Sequence, residues 1–144
     1  MMYLSLKSLH LIAVLLFAGG LMVLAVVISG WVRVGGVVLP HEKSIGRAVL
    51  RWDRYVTVPA MFVSWGLGLS LALMAGRMGH GWLLGKISIV VALSGLHGVL
   101  RAAIRARTDG DAVSSSAWHE ASPILVATGL ATIAVLVTVK PLSL

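Results

Sequence analysis

Two groups of residues in this chain carry side chains suited to ligand, proton or metal chemistry. The first centres on His97, in the run Gly95-Leu-His-Gly-Val-Leu-Arg101, with Arg51, Asp53 and Arg54 clustered earlier in the chain. An ionisable ring inside a membrane is costly and seldom idle, and imidazole is a common metal ligand. Arg101 follows His97 by four positions, so on a helix both lie on one face. A guanidinium grips a carboxylate with two parallel hydrogen bonds and keeps its charge when buried. The second group is Lys7, His10 and Lys86. Lys86 and His97 are eleven residues apart, which on a helix means roughly 16 Å of rise and nearly the same face. They share a face at different depths, so one haem bridged by His10 and His97 is not expected.

Each group also has a plainer reading. His97 can hydrogen-bond a neighbouring helix, Lys7 and His10 can snorkel toward water near a helix end, and Arg51 and Arg54 can act only as a basic anchor. Met74 and Met78 with His80 match the thioether and imidazole donors of a Cu(I) site, and equally match ordinary apolar packing.

The elements that hold these residues are set by hydropathy. The 144 residues are 58% hydrophobic and 12% charged, with a mean hydropathy of +0.97. Such a composition belongs to an integral membrane protein. Residues 9–32, 55–76 and 122–139 contain no Asp, Glu, Lys or Arg, and residues 82–100 contain only Lys86. Each window is about long enough to cross a bilayer, where an unpaired backbone amide finds no water. The expectation is an all-α integral membrane four-helix bundle, one domain over residues 1–144, with helices near 8–32, 55–76, 82–104 and 120–140. The first window lacks the short core and small-x-small site of a cleaved leader and is read as a retained helix.

The net charge of +7 is distributed by loop. Arg33, Lys43, Arg47, Arg51 and Arg54 fall between the first and second windows, and Arg101, Arg105 and Arg107 follow the third. The opposite ends hold Lys7, Arg77 and Lys140. This bias places both termini outside the cytoplasm and accounts for the basic charge through topology and anionic lipid headgroups, not nucleic acid. With no cysteine, disulfides and thiolate metal sites are excluded. The His97 group then occupies the cytoplasmic half, with His119 and Glu120 at the start of the fourth helix, and the His10 group the outer half. Pro59 removes the amide that would bond the Tyr55 carbonyl and should bend the second helix beside His97. Ser94 and Gly98 flank His97 at a spacing that suits close helix packing and equally clears room for a flat ligand.

The order of these features resembles a known family. Tyr3-Leu-Ser-Leu-Lys7-Ser-Leu-His10, then Arg51-Trp-Asp-Arg54-Tyr55 with Pro59, then Trp82 to Lys86 leading to His97-Gly98, then Glu120 with Pro123 and the terminal Val139-Lys140-Pro141, are similar to the four helices of the HemJ and CopD-like membrane proteins. The resemblance runs over nearly the whole chain. It departs at the end of the first helix, where Gly20 to Trp31 lacks the aromatic, Pro-Arg and Tyr-His stretch of HemJ chains. HemJ proteins are protoporphyrinogen IX oxidases reported to carry haem b, and CopD-like relatives are linked to copper uptake. The resemblance therefore implies a bacterial inner-membrane protein that binds haem b or a porphyrin, acting in porphyrinogen oxidation or electron transfer toward quinone. His97 is the first choice of axial ligand and His10 the second. Arg51, Arg54 and Arg101 would hold propionates, with Lys86 a further contact. A non-catalytic accessory subunit of a larger respiratory or photosynthetic membrane complex, or copper handling, are the alternatives.

Overall fold

The structure is a computed structural model that describes residues 2–34, 40–76, 81–110 and 117–138. All of its elements are helical. In chain order they are α1 (Met2–Val34), α2 (Pro40–Trp52), a π-helical turn (Asp53–Thr57), α3 (Val58–Met74), α4 (Gly81–Asp109) and α5 (Ala117–Thr138). Because α2, the π turn and α3 run on without a break, they form one long rod, and the chain makes four rods in all. Three stretches, Met2–Trp31, Pro40–Met74 and Leu83–Asp109, are long and apolar enough to cross a membrane. The fourth rod, α5, is a helix of 22 residues that contains the apolar stretch His119–Val135.

The core follows helical spacing. Phe17, Leu21, Leu24, Ala25, Ile28 and Trp31 form one buried stripe on α1, and Leu93, His97, Leu100 and Ile104 form another on α4. Ala60 of α3 and Val126 of α5 close the cluster. α1 is the central element and packs against α3, α4 and α5. Gly20 of α1 lets the chain approach Thr57 so closely that any Cβ there would collide with the threonine side chain. Gly76 and Gly110 adopt the left-handed backbone, φ 63° and 98°, that ends α3 and α4.

The helices are longer than their uncharged windows. The second rod begins at Pro40, not near residue 55, so much of the expected loop is helix α2. A proline in the first turn costs no hydrogen bond. Buried residues then recur at Glu42, Gly46, Asp53, Thr57, Ala60 and Ser64, a helical stripe that continues through the π turn. Hydropathy misses α2 because its outer face is charged, with Arg47 and Arg51 exposed. In the same way α4 runs past residue 104 to Asp109 through Arg105 and Arg107.

Two ends of the bundle can be distinguished. The basic end holds α2, the C-terminal turns of α1 and α4 and the start of α5; the far end holds the start of α1, the end of α3 and the start of α4. Although α1 packs on both α3 and α4, these two meet each other only at isolated points among the described residues. One such point is Trp65 Nε1 donating to Ser94 Oγ at 3.2 Å. α3 and α4 are thus held together mainly through α1.

Candidate functional site

The π turn delivers an acid into the core. In an α-helix the Pro59 nitrogen would have to donate to the Tyr55 carbonyl, and it has no proton to give. The chain instead widens by one residue just before Pro59, with the Val58 amide donating to the Asp53 carbonyl five positions back. Wide turns of this kind often mark functional positions. Here the widening replaces the simple bend expected from Pro59 and presents both Asp53 and Thr57 to the interior, 1% and 0% exposed.

Asp53 meets two residues of α4. His97 Nε2 lies 2.7 Å from Asp53 Oδ1, and Arg101 Nε lies 3.1 Å from Oδ2. The second contact is an ion pair without good hydrogen-bond direction, since Oδ2 accepts no hydrogen bond. His97 is 3% exposed, with the edge of the Phe17 ring against it at a centroid distance of 5.9 Å. The Arg101 side chain is 39% exposed, so its guanidinium links the buried carboxylate to the surface. Removing a carboxylate from water is costly unless it is paired, and the cation beside Asp53 offsets part of that cost.

The Asp53 contact assigns roles to the imidazole nitrogens. Facing an ionised carboxylate, Nε2 is the donor, which leaves Nδ1 for another partner. A carboxylate placed this way holds one tautomer and stabilises the imidazolium formed when the other nitrogen takes a proton. Arg101 uses Nε on Asp53, so its terminal amino groups remain for an anionic partner. Next to His97, a Cβ built on Gly98 would meet no atom within 4 Å, so of the two small residues Ser94 serves packing and Gly98 borders open space.

The other sequence candidates separate. Arg51 and Arg54 are exposed and do not join this cluster; Arg54 instead lies over the Tyr55 ring, 6.0 Å from its centroid. His10 lies toward the start of α1 and Lys86 toward the start of α4, both at the far end. The His10 ring rests against Gly68, where an added Cβ would come within 3.0 Å of Cε1, and it also contacts the Ser64 backbone. Lys7 is exposed on α1. His119 is buried and Glu120 exposed at the start of α5. Met74 is exposed, while Met78, His80 and Lys140 lie outside the described residues, as does any copper site that needs them. Among the described residues no group of three or more His, Asp or Glu side chains converges as metal ligands.

Asp53 is the functional residue that sequence reasoning set at the right depth without giving it a role. The available signal was a lone acid in an otherwise basic segment, six residues before a proline.

Haem iron does not fit His97 in this arrangement. Iron at Nε2 would displace Asp53 from its buried partner. His10 is a poor alternative, because its Nδ1 is enclosed by protein and its ring is packed on Gly68. Comparison of the chain with protein-family models, with curated proteins and with solved structures finds no match.

Proposed function

We propose that this chain is a multi-pass protein of the bacterial inner membrane that binds a porphyrin-type tetrapyrrole beside Arg101 at its basic end and oxidises its porphyrinogen form, passing electrons to a quinone. The observation that carries this reading is the buried Asp53–His97 pair with Arg101 reaching from it to the surface. Oxidation of a porphyrinogen removes hydrogen as protons and electrons. A base inside the apolar layer and a cation for a propionate are what the protein must supply. His97 Nδ1 is the proton acceptor, Asp53 its positioning residue, and Arg101 the partner of a propionate at the basic end. The resemblance to HemJ chains gives the tetrapyrrole its first place among flat, carboxylate-bearing ligands. The same reading puts both termini outside the cytoplasm, because the basic loops favour the cytoplasmic side.

The direct test is anaerobic incubation of the purified protein with protoporphyrinogen IX and a soluble quinone, following porphyrin fluorescence. The expected result is quinone-dependent porphyrin formation that falls by about 10²–10⁴-fold in His97→Gln, the usual contribution of a general base. A protein that neither binds nor oxidises the tetrapyrrole would leave the accessory-subunit reading in its place.

A further inference from the structure

The second rod sorts its charges by face. Between Pro40 and Met74 it carries two acids, Glu42 and Asp53, and both are buried against the bundle. Its arginines turn the other way: Arg47, Arg51 and Arg54 are all exposed. Steps of four and three residues keep the three on one side of a helix, and no exposed residue of 40–57 is an acid. Lys43, one turn before Arg47, stands apart from this set. It is partly buried, and its Nζ lies 3.8 Å from a Cβ built on Gly110, at the end of α4. Arg105 of α4 is exposed as well, but Asp109 stands 3.9 Å from its Nε.

The depth of these arginines in a bilayer follows from their neighbours. Trp52 and Tyr55 are 53% and 69% exposed, and Trp and Tyr at the edge of an apolar span sit at headgroup level. Beyond them the outward residues are Phe62, Val63, Leu69 and Leu73, which suit hydrocarbon. At ~1.5 Å rise per residue Arg51 and Arg54 are roughly 4.5 Å apart, and Arg47 is roughly 6 Å farther out. The headgroup layer on each side is about 5–8 Å thick, so it takes in Arg51 and Arg54, with Arg47 reaching it from the water side. Arg54 lies over the Tyr55 ring, 6.0 Å from its centroid, which positions its charge without neutralising it.

We propose that Arg47, Arg51 and Arg54, flanked by Trp52 and Tyr55, form a binding surface for the phosphate of an anionic phospholipid at the basic end of the bundle. It is separate from the Asp53–His97–Arg101 cluster and does not depend on the tetrapyrrole reading. A guanidinium fork matches phosphate oxygens. Three cations with no acid on their face favour a headgroup of net negative charge over a zwitterionic one, whose own cation they repel. Orienting the chain in the membrane needs only positive charge at this end, whereas a lipid surface needs that charge on this face.

The test uses the intact protein in nanodiscs of phosphatidylcholine with a minor fraction of phosphatidylglycerol, counting the lipids that stay bound in native mass spectrometry. The wild type should hold phosphatidylglycerol in preference to phosphatidylcholine. The double variant Arg51→Gln, Arg54→Gln should lower that preference by roughly thirtyfold, the attraction lost with two surface cations. The double variant Arg51→Lys, Arg54→Lys keeps the charge and should retain most of it. Arg105→Gln removes a cation from the same end but another face, already paired with Asp109, and should leave the preference nearly unchanged. Inorganic phosphate exchanged for chloride at equal ionic strength should not displace the lipid. Equal preference in the wild type and the double glutamine variant overturns the proposal. So does a loss in Arg105→Gln as large as that in Arg51→Gln alone, which would reduce the effect to net charge, and so does displacement by inorganic phosphate, which would make a free anion the ligand.

Discussion

Asp53 and His97 are 44 residues apart in sequence and 2.7 Å apart in space, joined across the bundle core by a π turn on one rod and a buried helical stripe on another. The contact ties the second rod to α4 just below the level where α2 packs on α4 and above the stretch where α3 leaves it. It also fixes which imidazole nitrogen is free to take a proton.

Substitutions at this pair should be strongly coupled. Asp53→Leu is expected to destabilise the protein by about 2 kcal/mol or more, because it leaves the partners of the carboxylate in the core. His97→Leu should also destabilise, since one carboxylate oxygen loses its donor. The double variant should cost clearly less than the sum of the two, as both buried polar groups are then gone. Reversible unfolding in mixed micelles gives the three values. Simple additivity would mean that the two side chains do not interact.

Adjacent glycines of α1 should behave in opposite ways. Gly20→Ala drives a methyl group into Thr57 and should cost about 1–3 kcal/mol, the usual penalty of overpacking. At Gly19 an added Cβ meets nothing within 4 Å, so Gly19→Ala should be neutral or stabilising by up to about 1 kcal/mol through helix propensity. Thermal unfolding of the two variants in detergent decides this, and equal losses would contradict the packing of α1 on the π turn.

Hydropathy and loop charge made the helical architecture legible, because an apolar run of bilayer length has few structural options. Rise per residue separates Lys86 from His97, since both lie on α4. Arg101 was paired with the His97 level by its i+4 spacing alone. Helix α2 was hidden by its charged outer face, although Glu42, Gly46 and Asp53 carry a helical period. The role of Asp53 could not be read locally, because its partners His97 and Arg101 lie 44 and 48 residues away on α4. Arg51 and Arg54 have the same charge as Arg101, and only the rotation of the rod puts them on the surface.

The basic end should face the cytoplasm. A reporter active only outside the cytoplasm, fused after Leu144, should be active, because eight of the twelve Lys and Arg residues (Arg33, Lys43, Arg47, Arg51, Arg54, Arg101, Arg105 and Arg107) lie toward the opposite end. Activity only from a cytoplasmic reporter at the same position would invert both clusters relative to the membrane.

The most direct measurement is protoporphyrin IX binding by the purified protein, followed by absorbance and fluorescence, in the wild type, in Arg101→Gln and in the double variant Arg51→Gln, Arg54→Gln. The expected result is saturable binding that Arg101→Gln weakens by about tenfold or more, as for loss of a charged hydrogen bond, while the exposed Arg51 and Arg54 are dispensable. Absence of binding in the wild type, or binding that depends on Arg51 and Arg54 but not on Arg101, would contradict a tetrapyrrole site at Asp53, His97 and Arg101.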